Sequence, residues 1–258
     1  MENTAFFKRD GDTFLPQPDG RGPWNPNSLH GRVVIGLAGF ELERLYGGPE
    51  WVPARLTVDM YRLPDFSPIT VTTRLLRDGK RIKVVDAELS SAGKSFASAR
   101  AQFLRPTQAP SGNRWSPPNW DVPHPDGLPP PDAAQFGQRM WKMRRITGNF
   151  GETGIKRAWM SEIREMVEGH PLTPFTRVAA AVDFASPFAN SGDQGLGYIN
   201  TDITVYLHSL PRSEWIGFET TNHQGTDGVA IAECFLYDLE GPIGTASAAS
   251  LAQSREPG

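Results

Sequence analysis

The chain has 258 residues and a single cysteine, Cys234, so no internal disulfide can staple it. Cys234 lies in a strand-like run between Glu233 and Phe235, and its reading is a small packing residue. No apolar run approaches the length needed to span a bilayer, and the opening MENTAFFKRDGDTF holds no apolar signal core. Basic charge is not in excess. Lys and Arg number 26 against 29 Asp and Glu, a formal net charge of −3. That excludes a global positive field of the kind that draws a protein onto nucleic acid. These absences set the expectation of a cytoplasmic protein without a membrane span. The usual catalytic signatures are missing too. There is no Gly-x-Ser-x-Gly elbow, no His-Glu-x-x-His helix, no P-loop and no Gly-x-Gly-x-x-Gly run. The histidines (His30, His124, His170, His208 and His223) show no ligand-like spacing. Neither a metal nor an organic cofactor is expected.

What the chain does have is a copy of itself. Thr57 aligns with Thr204, Leu63-Pro64 with Leu210-Pro211, Ile69 with Ile216 and Leu89 with Leu236, at a constant shift of 147 residues. One extra residue ahead of Gly241 makes the shift 148, and Gly93 then aligns with Gly241, Ala99 with Ser247 and Phe103 with Leu251. The apolar alternation and the turn positions match where identities do not. Such duplication favours two similar units over one large domain.

Each unit reads in the same order. In the first, a short strand at 5–15 precedes a turn-rich stretch, GRGPWNPNSLHG, and then RVVIGLAGFELERLYGG, which has helical length and stops at Gly47-Gly48. Its apolar residues surround most of the girth, so the helix is a buried one. Gly36 and Gly39 lower helix stability, and close packing against a sheet would offset this. Strands are predicted at 54–61, 69–77, 82–90 and 95–104, with Asp78-Gly79 and Ser91-Ala92-Gly93 as hairpin turns. Proline-rich residues 106–132 read as a semi-rigid linker. In the second unit, strands at 136–150 and 155–166 precede a helix, PFTRVAAAVDFASPFAN, with Thr173 as N-cap and Pro174 at the first helical position. Strands follow at 202–207, 214–222, 229–237 and 243–251. A buried helix wrapped by an antiparallel sheet, twice over, is an α+β double hotdog. The expected boundaries are 1–105 for the N-terminal hotdog and 133–258 for the C-terminal one.

GPWNPNSLHG, ARLTVDMYRLP and RLLRDGKRIKVVDAEL in the first half resemble the acyl-CoA thioesterase II type of double-hotdog enzyme. So do YINTDITVYLHSLPRSEWIGFETT and GVAIAECFLYDLEGPIGTASAASL in the second. The resemblance spans roughly residues 22–251. It implies hydrolysis of a fatty acyl-CoA thioester by a water held between an Asp, a Thr or Ser, and a Gln of the second hotdog. Asp202 matches the Asp and Thr221 the Thr. The Gln position falls on Ala249, and an alanine holds no water. The chain therefore departs from the pattern there, which leaves a non-hydrolytic acyl-thioester or lipid-binding protein as the alternative. A hotdog hydratase or dehydratase, using His30 or His223 with Asp202, is a third.

The chemistry needs a base, a positioned water and a donor for the oxyanion. Asp202 would serve as base if burial raised its pKa, and Thr221 would fix the water. Backbone N–H groups near His30 and Gly31, at the start of the first helix, would meet the carbonyl oxygen. Asn200 and His223 complete the expected substrate contacts. Asp183 is a polar residue in an apolar helical frame, at the seam of the halves or bonded to Ser186. Arg74, Arg77, Lys80, Arg81 and Lys83 cluster on one hairpin, solvated or in reach of coenzyme A phosphates. Unpaired sheet edges would favour a homodimer of the whole chain.

Overall fold

The computed structural model describes residues 5–117, 120–130 and 141–253. The first half opens with a hairpin, β1 (Phe7–Asp10) and β2 (Thr13–Pro16), turned by Gly11 in the left-handed region. Helix α1 (Gly31–Tyr46) follows, then β3 (Val52–Met60), β4 (Ile69–Asp78), β5 (Ile82–Ser91) and β6 (Lys94–Leu104). The second half runs β7 (Trp141–Thr147), β8 (Arg157–Glu162), α2 (Pro174–Ala181) and α3 (Ala185–Asn190). A two-residue hairpin pair, β9 (Ser191–Gly192) and β10 (Gly195–Leu196), leads to β11 (Tyr198–Asn200). Then come β12 (Asp202–Leu207), β13 (Ile216–Thr226), β14 (Val229–Asp238) and β15 (Gly241–Ala252).

One antiparallel sheet carries both halves, in the order β1-β2-β4-β5-β6-β3-β12-β15-β14-β13-β8-β7, with β11 also on β15. Reading inward from either end gives hairpin, meander and central strand. The sheet is therefore a palindrome about the β3·β12 seam. At that seam Thr57 pairs with Thr204, the same two residues the internal repeat aligns. Their hydroxyls lie 3.1 Å apart. The repeat axis thus passes between two copies of one residue, and the fold is a double hotdog.

Helix α1 is wrapped as its apolar girth predicts, with residues 32–42 all buried. Its glycines serve a different surface from the one expected. A Cβ on Gly39 would stand 2.6 Å from the Ala179 Cβ of α2, and one on Gly36 would run into the Met166 side chain before reaching the Ala180 Cα at 3.4 Å. The close approach is to the helix of the other half, not mainly to a sheet. Core side chains from both halves, among them Leu37, Leu56, Phe103, Phe175, Val178, Val205 and Phe218, join one continuous cluster.

Four local expectations are corrected. The strand expected at 5–15 is a hairpin. Residues 136–140 of the strand expected at 136–150 lie outside the described residues, and its described part ends at Thr147. The strand expected at 155–166 is confined to Arg157–Glu162, because Glu165 and Met166 turn away and accept from the Phe6 and Phe7 amides. The single second helix is broken by a 3-10 turn at Val182–Phe184. Pro187 has no N–H to give the Asp183 carbonyl four residues back, so the helix tightens there.

Candidate active site

The N-terminus of α1 is built by the loop before it. Arg21 and Leu29 bridge, the Gly22 amide donates to Ser28, and the His30 amide donates to the Gly20 carbonyl. This places His30 as N-cap of α1. The 3-10 turn of the second half places Asp183 against the same spot. Asp183 Oδ2 lies 3.1 Å from His30 Nδ1, with the two side chains 6 % and 12 % exposed. Asn200, on β11, donates to Asp183 Oδ1 at 3.0 Å. Gly31 is what permits the approach. A Cβ there would stand 3.0 Å from both Asp183 carboxylate oxygens.

Burial is the largest influence on the Asp183 carboxyl and pushes its pKa up. The hydrogen bond and charge of His30, then Asn200 and the Arg32 charge, outweigh it, and the net direction is down. The start of α1 favours an anion in the same sense. Asp183 is therefore a carboxylate at neutral pH. His30 Nδ1 also lies 3.2 Å from the Arg32 amide, and a neutral ring nitrogen cannot both donate and accept. The carboxylate decides between them: Nδ1 carries the proton and donates to Asp183, leaving Nε2 as the acceptor. Among the described residues the Gly31 N–H has no protein acceptor.

Two cavities meet at this junction. The larger, about 650 Å³, is walled by Trp141, Met143, Phe150, Met160, Phe184 and Leu196. The smaller, about 220 Å³, is lined by Gly31, Tyr61, Arg62, Thr201 and Gln253 among others. Trp24, His30, Asp183 and Asn200 line both. Ser186, one helical turn after Asp183, also lines the larger cavity, and its hydroxyl accepts from Asn190. The Asn190 amide holds the Ser250 hydroxyl as well, at 2.9 Å.

The expected site residues thus divide. His30, Gly31 and Asn200 come together. Asp202, Thr221, His223 and Ala249 do not line either cavity. On β12, Ile203, Val205 and Leu207 face the core, so Asp202 points to the outer face, opposite Asp59 on β3, and accepts from the Ala249 amide at 2.7 Å. Thr221 is exposed where a β-bulge interrupts β13, three strands across the sheet from β12. His223 is exposed, and its ring lies edge-to-face with that of Tyr198, with centroids 5.8 Å apart. Ala249 is exposed, and its neighbours Ala248 and Ser250 face inward instead. The basic hairpin lies at the far end of α1, where Lys83 donates to the Tyr46 carbonyl, a helix length of about 24 Å from His30. Arg74 there is paired with Asp86, which Arg100 also holds.

The Asp202 carboxyl is raised by burial first, with the Asp59 charge adding and the Ala249 amide opposing. A raised carboxyl favours its protonated form in the fold, so stability is lost as pH rises past the unfolded value near 3.9. Asp202→Asn keeps an oxygen for the Ala249 amide. Its Tm is expected to exceed the parent's at pH 6–7 and to converge with it below about pH 4. Thermal melts across that range check this. Asp183 has the opposite sign: its contribution is complete above about pH 3.9 and fades as pH falls through its lower folded value.

The start of α2 carries the counterpart junction. Thr173 caps that helix, and the hydroxyls of Thr173 and Thr176 hold the Glu43 carboxylate of α1. Phe40, at the Asp183-equivalent distance from its own helix cap, packs against the edge of His170. No three His, Cys, Asp or Glu side chains among the described residues gather as a metal site. No helix among them is long and apolar enough to cross a membrane.

Residues 20–105 match the family model described as acyl-CoA thioesterase N-terminal domain, and residues 115–250 match the acyl-CoA thioesterase C-terminal domain. The chain belongs to the acyl-CoA thioesterase family. Among solved structures, this thioesterase family member is similar to a putative thioesterase from Novosphingobium aromaticivorans, at 20% identity over 96% of this chain and 98% of that one, with a TM-score of 0.73. A hot dog protein of unknown function from Alicyclobacillus acidocaldarius matches at 17% over 96% of both chains, TM-score 0.75. An acyl-CoA thioesterase II from Mycobacterium marinum matches at 15% over 96% and 95%, TM-score 0.63. At these identities the structures establish a shared fold. No curated protein matches the chain.

Proposed function

We propose that this family member hydrolyses an acyl-CoA thioester at the His30–Asp183–Asn200 junction. The observation that carries the reading is one buried carboxylate, fixed by an imidazole and an amide, where two largely apolar cavities meet. Asp183 holds the His30 Nδ1–H, and Nε2 takes a proton from water as the water oxygen attacks the thioester carbonyl. The oxyanion is met by the Gly31 N–H at the start of α1, where the helix dipole favours negative charge. The C–S bond then breaks, and the proton on Nε2 passes to the departing thiolate. Asn200 keeps the carboxylate in place. The expected Gln position falls on Ala249, which lines neither cavity, so a hydrolytic site at His30 does not depend on it.

Release of free coenzyme A from short, medium and long acyl-CoAs tests the proposal. His30→Gln is expected to lower kcat by roughly 10²–10³-fold with the fold intact. Wild-type rate in that variant would remove His30 from the chemistry. The His30–Asp183 pair also fits a hydratase, which uses an imidazole with a carboxylate. An enoyl-CoA whose conjugated absorbance decays without coenzyme A release would favour that second reading.

A further inference from the structure

The two cavities that share His30 and Asp183 are both apolar over most of their lining; they differ in size and in the exposed side chains beside them. The larger is aromatic and aliphatic over most of its wall. Of its charged lining groups, Arg32 is held by Glu162 at 2.6 Å, and Glu152 carries a negative charge that repels phosphate. The smaller is bounded by three consecutive residues that leave β3, Tyr61, Arg62 and Leu63. All three are exposed. Tyr61 is 52% and Leu63 48% exposed. The Tyr61 ring is fixed by its hydroxyl, which lies 2.9 Å from the Ser95 hydroxyl. The Arg62 guanidinium makes no ion pair or hydrogen bond with any described residue.

A planar aromatic face beside an unspent guanidinium is the chemistry that receives a nucleotide: the ring stacks on a base and the fork binds phosphate oxygens. We propose that the thioester lies across the junction, its acyl group in the aromatic cavity and its pantetheine arm in the smaller one, with Arg62 and Tyr61 receiving the phosphates and adenine of coenzyme A. This rests on the thioesterase reading and adds to it an orientation and a choice of carrier. The apolar acyl group goes where water is excluded, and the charged nucleotide stays at the solvent rim. Coenzyme A itself, not a carrier protein, is the thiol.

The test compares Arg62→Glu and Tyr61→Ala with the parent on two substrates bearing the same acyl group, acyl-CoA and the acyl thioester of N-acetylcysteamine, which lacks nucleotide and phosphates. The expected result is a loss of roughly ten-fold or more in kcat/KM for acyl-CoA, with less than about two-fold change for the short thioester. Equal loss on both substrates, or no loss on either, overturns the proposal. So does a larger Arg62→Glu effect on an acyl-carrier protein than on acyl-CoA. Titration calorimetry of free coenzyme A separates this from failure of the thioesterase reading. If the parent hydrolyses neither substrate yet binds coenzyme A in an Arg62-dependent way, the rim assignment stands and the hydrolytic one falls. If the parent does not bind coenzyme A, the rim assignment falls.

Discussion

Asp183→Asn is expected to lower kcat by roughly 10²–10³-fold, about as much as loss of His30, because Asp183 acts through that imidazole. The volume hardly changes. What changes is the acceptor for the His30 Nδ1–H at 3.1 Å and for the Asn200 amide at 3.0 Å. An Asn amide nitrogen turned toward His30 would reverse the imidazole tautomer, leaving Nε2 protonated and unable to take a proton. Three variants serve as controls, Asp202→Asn, Thr221→Ala and Ala249→Gln. None of these positions lines either cavity of the junction, and each is expected to stay within about two-fold of the parent. Coenzyme A release under saturating substrate measures all four. If Asp202→Asn abolishes turnover and Asp183→Asn does not, the junction is not where the thioester reacts.

The second large effect is on stability. Gly39→Leu is expected to cost about 3 kcal/mol and to lower Tm by roughly 10 °C. Even a Cβ at this position would stand 2.6 Å from the Ala179 Cβ, and the bulk behind it would meet Leu56 and Phe175. The contact lies between α1 and α2, which belong to different halves, so separating them opens the shared core. The strain should also tilt the N-terminus of α1 relative to Asp183. Surviving folded protein is therefore expected to show reduced kcat as well. Calorimetry gives the Tm, and an unchanged melt would mean the helices have room that the structure does not show.

The fold was legible because period-2 alternation survives in most strands. Ile203, Val205 and Leu207 define β12 to the residue, and the Thr57–Thr204 alignment in sequence turns out to be a pairing in space. The same alternation already places Asp202 opposite to that apolar face, a signal overridden by the resemblance. Around Ala249 no such signal exists: in Ala246-Ser247-Ala248-Ala249-Ser250 every residue is small, and neither face is marked. Thr221 sits in a bulge, where alternation fails by definition. Asp183 stood out as the lone acid of an apolar helix. Its partner His30 lies 153 residues away in the other half, and only tertiary packing brings the two within 3.1 Å. Pro187 marks the broken helix in sequence, but a proline at this place also fits the first turn of a new helix.

The two helix starts show what joining the copies made available. In a dimer of identical hotdogs, any residue placed at one junction is placed at both. Here one junction carries His30 with Asp183, and its counterpart carries Thr173 with Glu43 and Phe40 against His170. On the proposed reading one chain has one reactive centre and one silent one, and substrate is expected to saturate at one equivalent per chain. Each junction can change without altering the other. The silent one is then free to serve as a brace between the halves, while the active one keeps the groups that chemistry requires.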